Sequence, residues 1–431
     1  MRTTRNNLSP RVAGALRAAA FAVLLCAASA WAQEKPAAPP PAKKNSCVEC
    51  HSVLDGPLQV TPEMAAQDIH ASKGIDCAAC HGGDPTADDD SAMSKAKGFK
   101  GKPKRSDIPQ LCASCHSNGE YMRKYNPSLR TDQLAQYRTS VHGKKLKAGD
   151  DKVAVCSDCH TPHTILPAND PRSKVNALNV VSTCGSCHAD AARMKPYGIP
   201  TDQVAGYNVS VHHEALTVRG DMSAPTCVTC HGNHGAAPPG LSSVENVCAN
   251  CHVFQGQLFD GSPHKQPFAA AGLPGCVTCH SNHKIVRPSD AMLGSGPQSV
   301  CSNCHTGDDA GMKQAIAMKS GLERLHQKID QADELLERAE RSGMEVSQAK
   351  LVQAQARAAL TKARVSVHSF GAAGMKADIE SGLKLAEDDL HAGEQAMAER
   401  DYRRKGLGIA VVLILLTIAG LFLFIRQLER R

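Results

Sequence analysis

The sequence predicts a mainly α-helical chain with much irregular coil: a cofactor-packed region, then a bundle of long helices, then one C-terminal transmembrane helix. Three observations predict it. The 431 residues carry only 1 Trp, 6 Tyr and 8 Phe against 19 Cys and 20 His, so something other than side chains fills much of a close-packed interior. Apolar residues recur at heptad spacing after residue 312. A run of 20 uncharged, mostly apolar residues, 406–425, lies close to the C-terminus. A hydrophobic share of 42% and a net charge of +7 exclude long disorder and a collagen-like chain.

Taken in order, residues 1–32 read as a secretory signal peptide. Arg2, Arg5, Arg11 and Arg17 precede the apolar run Ala18 to Ala28, and Ala30-Trp31-Ala32 supplies a small-x-small cleavage site. Leu25 before Cys26 is larger than a lipidation site accepts, which leaves Cys26 a spectator. Residues 33–308 form the cofactor region, 309–403 a helical hairpin or bundle, and 404–431 the anchor with a short tail. At 1.5 Å per residue the apolar run spans about 30 Å, a bilayer core. Both flanks are basic, so the leader rather than charge sets the orientation, with the body exported.

Setting Cys26 aside, every cysteine lies in a C-x-x-C pair followed directly by histidine. The nine motifs are Cys47, Cys50, His51; Cys77, Cys80, His81; Cys112, Cys115, His116; Cys156, Cys159, His160; Cys184, Cys187, His188; Cys227, Cys230, His231; Cys248, Cys251, His252; Cys276, Cys279, His280; and Cys301, Cys304, His305. This is the attachment signal for c-type haem. Two thiols three residues apart reach the two vinyl groups on one porphyrin edge, and the next residue turns its imidazole to the iron. Structural zinc needs two pairs per ion and has no use for that histidine, and a disulfide framework does not explain it either. Nine covalently attached c-type haems (haem c) are therefore expected. Their propionates change the charge: the leader removes four arginines, leaving +3, and each ferric haem adds about −1, for roughly −6 in the oxidised holoprotein.

Distal ligands follow from the remaining histidines. His163, His234 and His283 each trail a motif by three residues, too close to bind their neighbour's iron, and so are expected to serve an adjacent haem. The segment Thr131 to His142 recurs as Thr201 to His212, defining a repeat of motif, lone histidine, motif, trailing histidine. Repeat two is Cys112 to His163 and repeat three Cys184 to His234. Repeat four is Cys248 to His283 with lone His264, and repeat one is Cys47 to Asp84 with lone His70 and an aspartate at the trailing position. His70, His142, His163, His212, His234, His264 and His283 are the expected distal ligands. His213 beside His212 reads as a bystander. Nine irons against seven such ligands leave a shortfall of two, which Met64, Met122 or Met194 could also close.

In the helical part, Met318, Leu322, Leu325, Ile329, Ala332, Leu336 and Ala339 form one apolar seam, ended by Ser342-Gly343. A second runs through Ala349, Val352, Ala356, Ala359, Ala363 and Val367. A third, Ile379, Leu383, Ala386, Leu390 and Met397, leads toward the membrane run. His326 and His391 read as solvated surface residues. His368, at the end of the second helix before a glycine-bearing turn, reads as a further distal ligand. The loop from Asp84 to Arg105, with Asp88 to Asp90 and then six basic residues, reads as a solvated, mobile insertion, or else as a docking patch for an anionic partner.

These motifs resemble the multihaem c-type cytochromes. C-x-x-C-H-x-x-H with close bis-histidine spacing is similar to the tetrahaem class III cytochromes and to membrane-anchored quinol-dehydrogenase cytochromes. The long helices with His368 are similar to the pentahaem nitrite reductase and octahaem hydroxylamine oxidoreductase group. No C-x-x-C-K motif is present, and the anchor is C-terminal rather than N-terminal. The resemblance implies a periplasmic electron relay in anaerobic respiration, held on the cytoplasmic membrane by a single pass. It would be fed by a quinol-oxidising or b-type cytochrome subunit and discharged to periplasmic or outer-membrane redox partners, with no catalytic residue. A homo-oligomer through the C-terminal helices is a further partner the alanine-rich seams suit. The other reading is a reductase of nitrite, hydroxylamine or a sulfur oxyanion with one five-coordinate haem, at His305 or in repeat one. Nothing points to nucleic acid.

Overall fold

The computed structural model describes residues 45–236 and 247–430. The expected leader, with Cys26 and its cleavage site, lies outside the described residues. Among the described residues every regular element is an α-helix or a 3-10 turn, and no strand occurs. The mainly α class holds. Contacts divide the chain into two compact units, Met1–Ala65 with Asp76–Lys102, and Ala66–Ile75 with Pro103–Arg431.

In the first unit, helices Ser46–His51 and Cys77–His81 carry the first two motifs. Asn45 caps one, its side chain accepting from Cys47 N at 3.1 Å, and Asp76 caps the other, accepting from Ala78 N at 3.1 Å. The basic loop is not a free insertion. Gly83 N donates to Lys97 O at 3.2 Å, Asp84 N to Ala92 O at 3.0 Å, and Lys100 N to His81 O at 2.7 Å. Gly82 (φ 67°) is needed for this fold-back, because a Cβ there would stand 2.0 Å from Gly98 O. The lysines are exposed, but their backbone is fastened to motif two.

The second unit begins with short helices joined by coil. The copied segment shows why. Helices Gln133–Thr139 and Gln203–Asn208 each run into a serine that caps the next helix: Ser140 Oγ accepts from Gly143 N at 3.0 Å, Ser210 Oγ from His213 N at 3.2 Å. The caps set His142 and His212 on the first turns of helices Val141–Lys147 and Val211–Thr217. Tyr137 and Tyr207 each donate, at 2.9 Å, to the carbonyl two residues before the next motif, Ala154 O and Pro225 O. Each repeat is thus a short rigid frame that holds a lone histidine against an attachment helix.

Three long helices follow: α1, Ala310–Arg341; α2, Ser347–Ser366; and α3, Ala372–Leu428. Asp309 caps α1, accepting from Met312 N at 2.7 Å, and Gly343 (φ 80°) ends its turn. The seam of α1 is buried as its heptads require. The other two seams hold at every second position, Ala349, Ala356 and Ala363 on α2 and Ile379 and Ala386 on α3, and are one residue off between them. On α2 the buried positions are Ala349, Gln353, Ala356, Leu360 and Ala363, with Val352, Ala359 and Val367 half-buried. On α3 they are Met375, Ile379, Gly382, Ala386, Asp389 and Gly393, while Leu383, Leu390 and Met397 flank them half-buried. Small residues face the centre because the helices approach closely, which hydrophobicity alone does not reveal. A Cβ on Gly382 would lie 2.8 Å from Leu325 Cδ2 and 3.1 Å from Ala359 Cβ. Gly382→Val is therefore expected to cost about 1–3 kcal/mol of bundle stability by overpacking, read as a lowered helix melting temperature. Farther along, α3 is the one helix among the described residues long and apolar enough to cross a membrane, its most apolar window reaching a mean hydropathy of 3.0 with none of it buried.

Candidate cofactor-binding centres

The attachment motifs are mostly single helical turns, such as Cys156–His160 and Cys227–His231. Residues i, i+3 and i+4 share one helix face, so two thiols and one imidazole point the same way from each turn. Among the described residues no cysteine forms a disulfide, and no three His, Cys, Asp or Glu side chains converge to cage a metal ion.

In the second unit the imidazoles occur as facing pairs. His70 faces His116 with ring centres 6.0 Å apart, His142 faces His188 at 6.2 Å, and His212 faces His252 at 6.4 Å. His264 faces His305 at 5.9 Å. His160 faces His234 at 6.2 Å, His231 faces His283 at 6.0 Å, and His280 faces His368 at 6.0 Å. Rings in contact would sit about 3.5–4 Å apart, so each pair is held open. Two imidazoles bound to one ion, each nitrogen about 2.0 Å away, have ring centres about 6 Å apart once a ring radius of roughly 1.1 Å is added at each end. The spacing is that of two axial ligands on one haem iron. The residues fit the group.

Electrostatics agree. Burial lowers the pKa of His116, His142, His160, His188, His212, His234, His264, His280 and His283, which keeps these rings neutral with a lone pair to give. Several rings are aimed by a bond at Nδ1, leaving Nε2 for a metal. His51 Nδ1 faces Leu58 O at 2.8 Å, His81 Nδ1 faces Gly101 O at 3.0 Å and His368 Nδ1 faces Val365 O at 2.9 Å. For His70 and His305 the acceptor is a carboxylate, Asp68 at 2.9 Å and Asp309 at 3.1 Å, which makes these rings stronger electron donors.

The pairs are offset between repeats. A lone histidine faces the first motif of the following repeat: His70 with His116, His142 with His188, His212 with His252, and His264 with the final motif. A trailing histidine faces the second motif of the preceding repeat, as His234 does His160 and His283 does His231. A backbone bond repeats with the same offset. The residue before a lone histidine donates to the carbonyl two residues past the next trailing histidine: Ile69 N to Ile165 O at 2.8 Å, Val141 N to Ala236 O at 3.3 Å, Val211 N to Ile285 O at 2.9 Å. In repeat four the donor position is Pro263, which has no N–H. There His264 instead packs its ring 4.1 Å from Phe370, two residues past His368. His368 therefore stands where a trailing histidine would.

The attachment cysteines run in chain order as well. Cys112 lies beside Cys156, Cys184 beside Cys227 and Cys248 beside Cys276, each couple close enough for its members to shift one another's pKa. Between these couples Cys159 feels the charge of Cys187, Cys230 that of Cys248 and Cys251, and Cys279 that of Cys301 and Cys304. Motifs three to nine form one unbroken file. In the first unit burial raises the pKa of both Cys47 and Cys77, and the two thiols also interact: the charge of Cys47 raises Cys77 further, whereas Cys77 lowers Cys47 slightly.

His213, His326 and His391 take no part in these facing pairs. His213 packs edge-on to Tyr207 at 5.6 Å, and His326 and His391 are exposed beside Asp330 and Glu394. His163 sits on the turn after motif four at φ 69°. Met122 and Met194 are buried in the second unit, whose motif histidines all have histidine partners; Met64 is half-buried. The offset was not foreseen, although two features signalled it: Asp84 at the trailing position of repeat one, and a ninth motif with no second motif after it.

The family Cytochrome c3 matches residues 69–189, and the family Doubled CXXCH motif matches residues 266–310. The first window opens at the His70 segment and closes just past His188, so it encloses two complete facing pairs. No curated protein and no solved structure matches the chain. The chain thus carries multihaem c-type cytochrome sequence with covalently bound haem, which implies electron transfer.

Proposed function

We propose that the chain is a membrane-anchored nonahaem c-type cytochrome that relays electrons in anaerobic respiration. It takes them from a quinol-oxidising or b-type cytochrome subunit in the cytoplasmic membrane and passes them to periplasmic or outer-membrane partners. The observation that carries this is the file of facing imidazole pairs, 5.9–6.4 Å apart, in motif order. Haem c supplies reversible one-electron iron chemistry when bound. The chain's own residues do the rest. His70, His142, His212, His234, His264, His283 and His368 would each be the second imidazole held to its partner's iron, with His163 as the eighth distal candidate. This excludes substrate there and favours transfer over catalysis. Adjacent cysteine couples would hold neighbouring haems close together. The exposed apolar stretch of α3 anchors the chain, and Asp68 and Asp309 favour the oxidised form at the sites of His70 and His305.

The reductase reading loses one of its two candidate sites, because His305 faces His264. Intact-mass measurement of the full-length holoprotein is expected to show the leaderless polypeptide plus nine haems. A smaller number would reject the nonahaem assignment.

A further inference from the structure

We infer that the iron attached at Cys47 and Cys50 and held by His51 keeps its distal position open to a small exogenous ligand, either a diatomic gas or a small anion. The inference rests on the multihaem reading and deepens it. The first motif of a repeat takes its second histidine from the lone histidine of the repeat before it, in all four instances within the second unit. Residues 1–50 contain no histidine that could act as a donor of that kind. The first compact unit contains only two histidines, His51 and His81, each the last residue of its own motif. Among the described residues no imidazole is paired with His51.

The proximal side is nonetheless fully prepared. His51 ends its helix with Nδ1 on Leu58 O at 2.8 Å, and its own carbonyl is held by Val60 N at 3.1 Å. The site is built like the others on one side and lacks its counterpart on the other. Its neighbourhood is at the surface, with Val53, Leu54 and Leu58 all exposed.

The same offset disposes of Asp84. A trailing residue serves the preceding repeat, and repeat one has none, so histidine there would have no iron to serve. Asp84 is released for a local task, accepting from Thr86 N at 2.9 Å and from Lys97 Nζ at 3.0 Å to close the basic loop. The open position therefore belongs to the first motif, not to the motif beside Asp84.

Full-length holoprotein in detergent, reduced with dithionite and titrated with carbon monoxide, tests this. Bis-histidine irons resist CO, whereas a five-coordinate ferrous iron takes it up, so one CO per chain is expected. The oxidised protein is expected to show one high-spin ferric iron per chain. Cys47→Ser combined with Cys50→Ser should lower the haem count by one and the CO count from one to zero. Should that variant not accumulate, His70→Gly opens the His116 iron and should raise the count from one to two, and Met64→Leu should leave it at one. No CO uptake by the wild type, or uptake that rises from zero to one in Met64→Leu, would overturn the inference. A nine-haem mass with no CO uptake defeats this inference alone, while a mass short of nine haems defeats the broader reading.

Discussion

Replacing His368 by glycine is expected to convert one low-spin iron per chain to high spin and to loosen the junction between the haem region and the helices. His368 lies on a 3-10 turn, Val367–Ser369, that ends α2, with its ring 6.0 Å from His280 and Nδ1 fixed on Val365 O. Among the seven facing pairs it is the only ring contributed by the three-helix bundle. Its loss removes an axial ligand and a tie at once, because a ligand that binds only the folded state stabilises it. EPR of the oxidised protein would show one additional high-spin signal per chain. CO uptake by the reduced form would rise by one. His391→Gly is the control, since His391 is exposed and bonded only to its own helix, at Gln395, and should change neither. An unaltered spectrum in His368→Gly would mean that the ligand of the His280 iron comes from elsewhere.

The second large effect is on pH dependence. Asp389 is buried in the bundle at 1% exposure, and its Oδ2 has no hydrogen-bond partner. Burial first, then the charges of Asp388 and Asp333, raise its pKa from 3.8 to about 6. The folded state therefore holds the proton more tightly than the unfolded state. Below pH about 4 both states are protonated and nothing is lost. As pH rises toward about 6 the unfolded state ionises first, so stability falls, and above 6 the loss levels off at about 3 kcal/mol, from roughly 1.4 kcal/mol per pKa unit. Asp389→Asn is expected to flatten this slope and to raise stability at pH 7 by about 1–2 kcal/mol, less than the full loss because the amide is also poorly satisfied. Helix melting of the detergent-solubilised chain between pH 4 and 8 checks it. A wild-type midpoint that rises from pH 4 to 6 without a matching change in the variant would contradict the sign.

Much of the site was legible in the sequence because c-type haem attachment is a local code. Two cysteines and a histidine on one turn need no knowledge of the fold, and the lone and trailing histidines stand out by spacing. Partner choice was not legible. His142 and His188 are brought together only when one repeat docks on the next, and the bond from Val141 N to Ala236 O that fixes this docking uses backbone atoms common to all residues. The helices divide the same way. The seam of α1 is rich in large apolar side chains and reads directly. The centre of α3 is Gly382, Asp389 and Gly393, whose inward placement follows from how closely α1 and α2 approach, and a hydrophobic pattern passes over them. The basic loop looked like a free insertion because its tethers to Gly83 and His81 are again backbone bonds.

The central claim is that the irons are held by histidines exchanged between repeats, at least seven of them by the pairs seen in the second unit. Near-infrared magnetic circular dichroism of the oxidised full-length holoprotein counts bis-histidine irons directly, through a charge-transfer band set by the axial ligands. The account predicts seven or more bis-histidine irons per chain, with one fewer in each of His142→Gly, His234→Gly and His368→Gly. Fewer than seven in the wild type, or a full count retained in those variants, would contradict it.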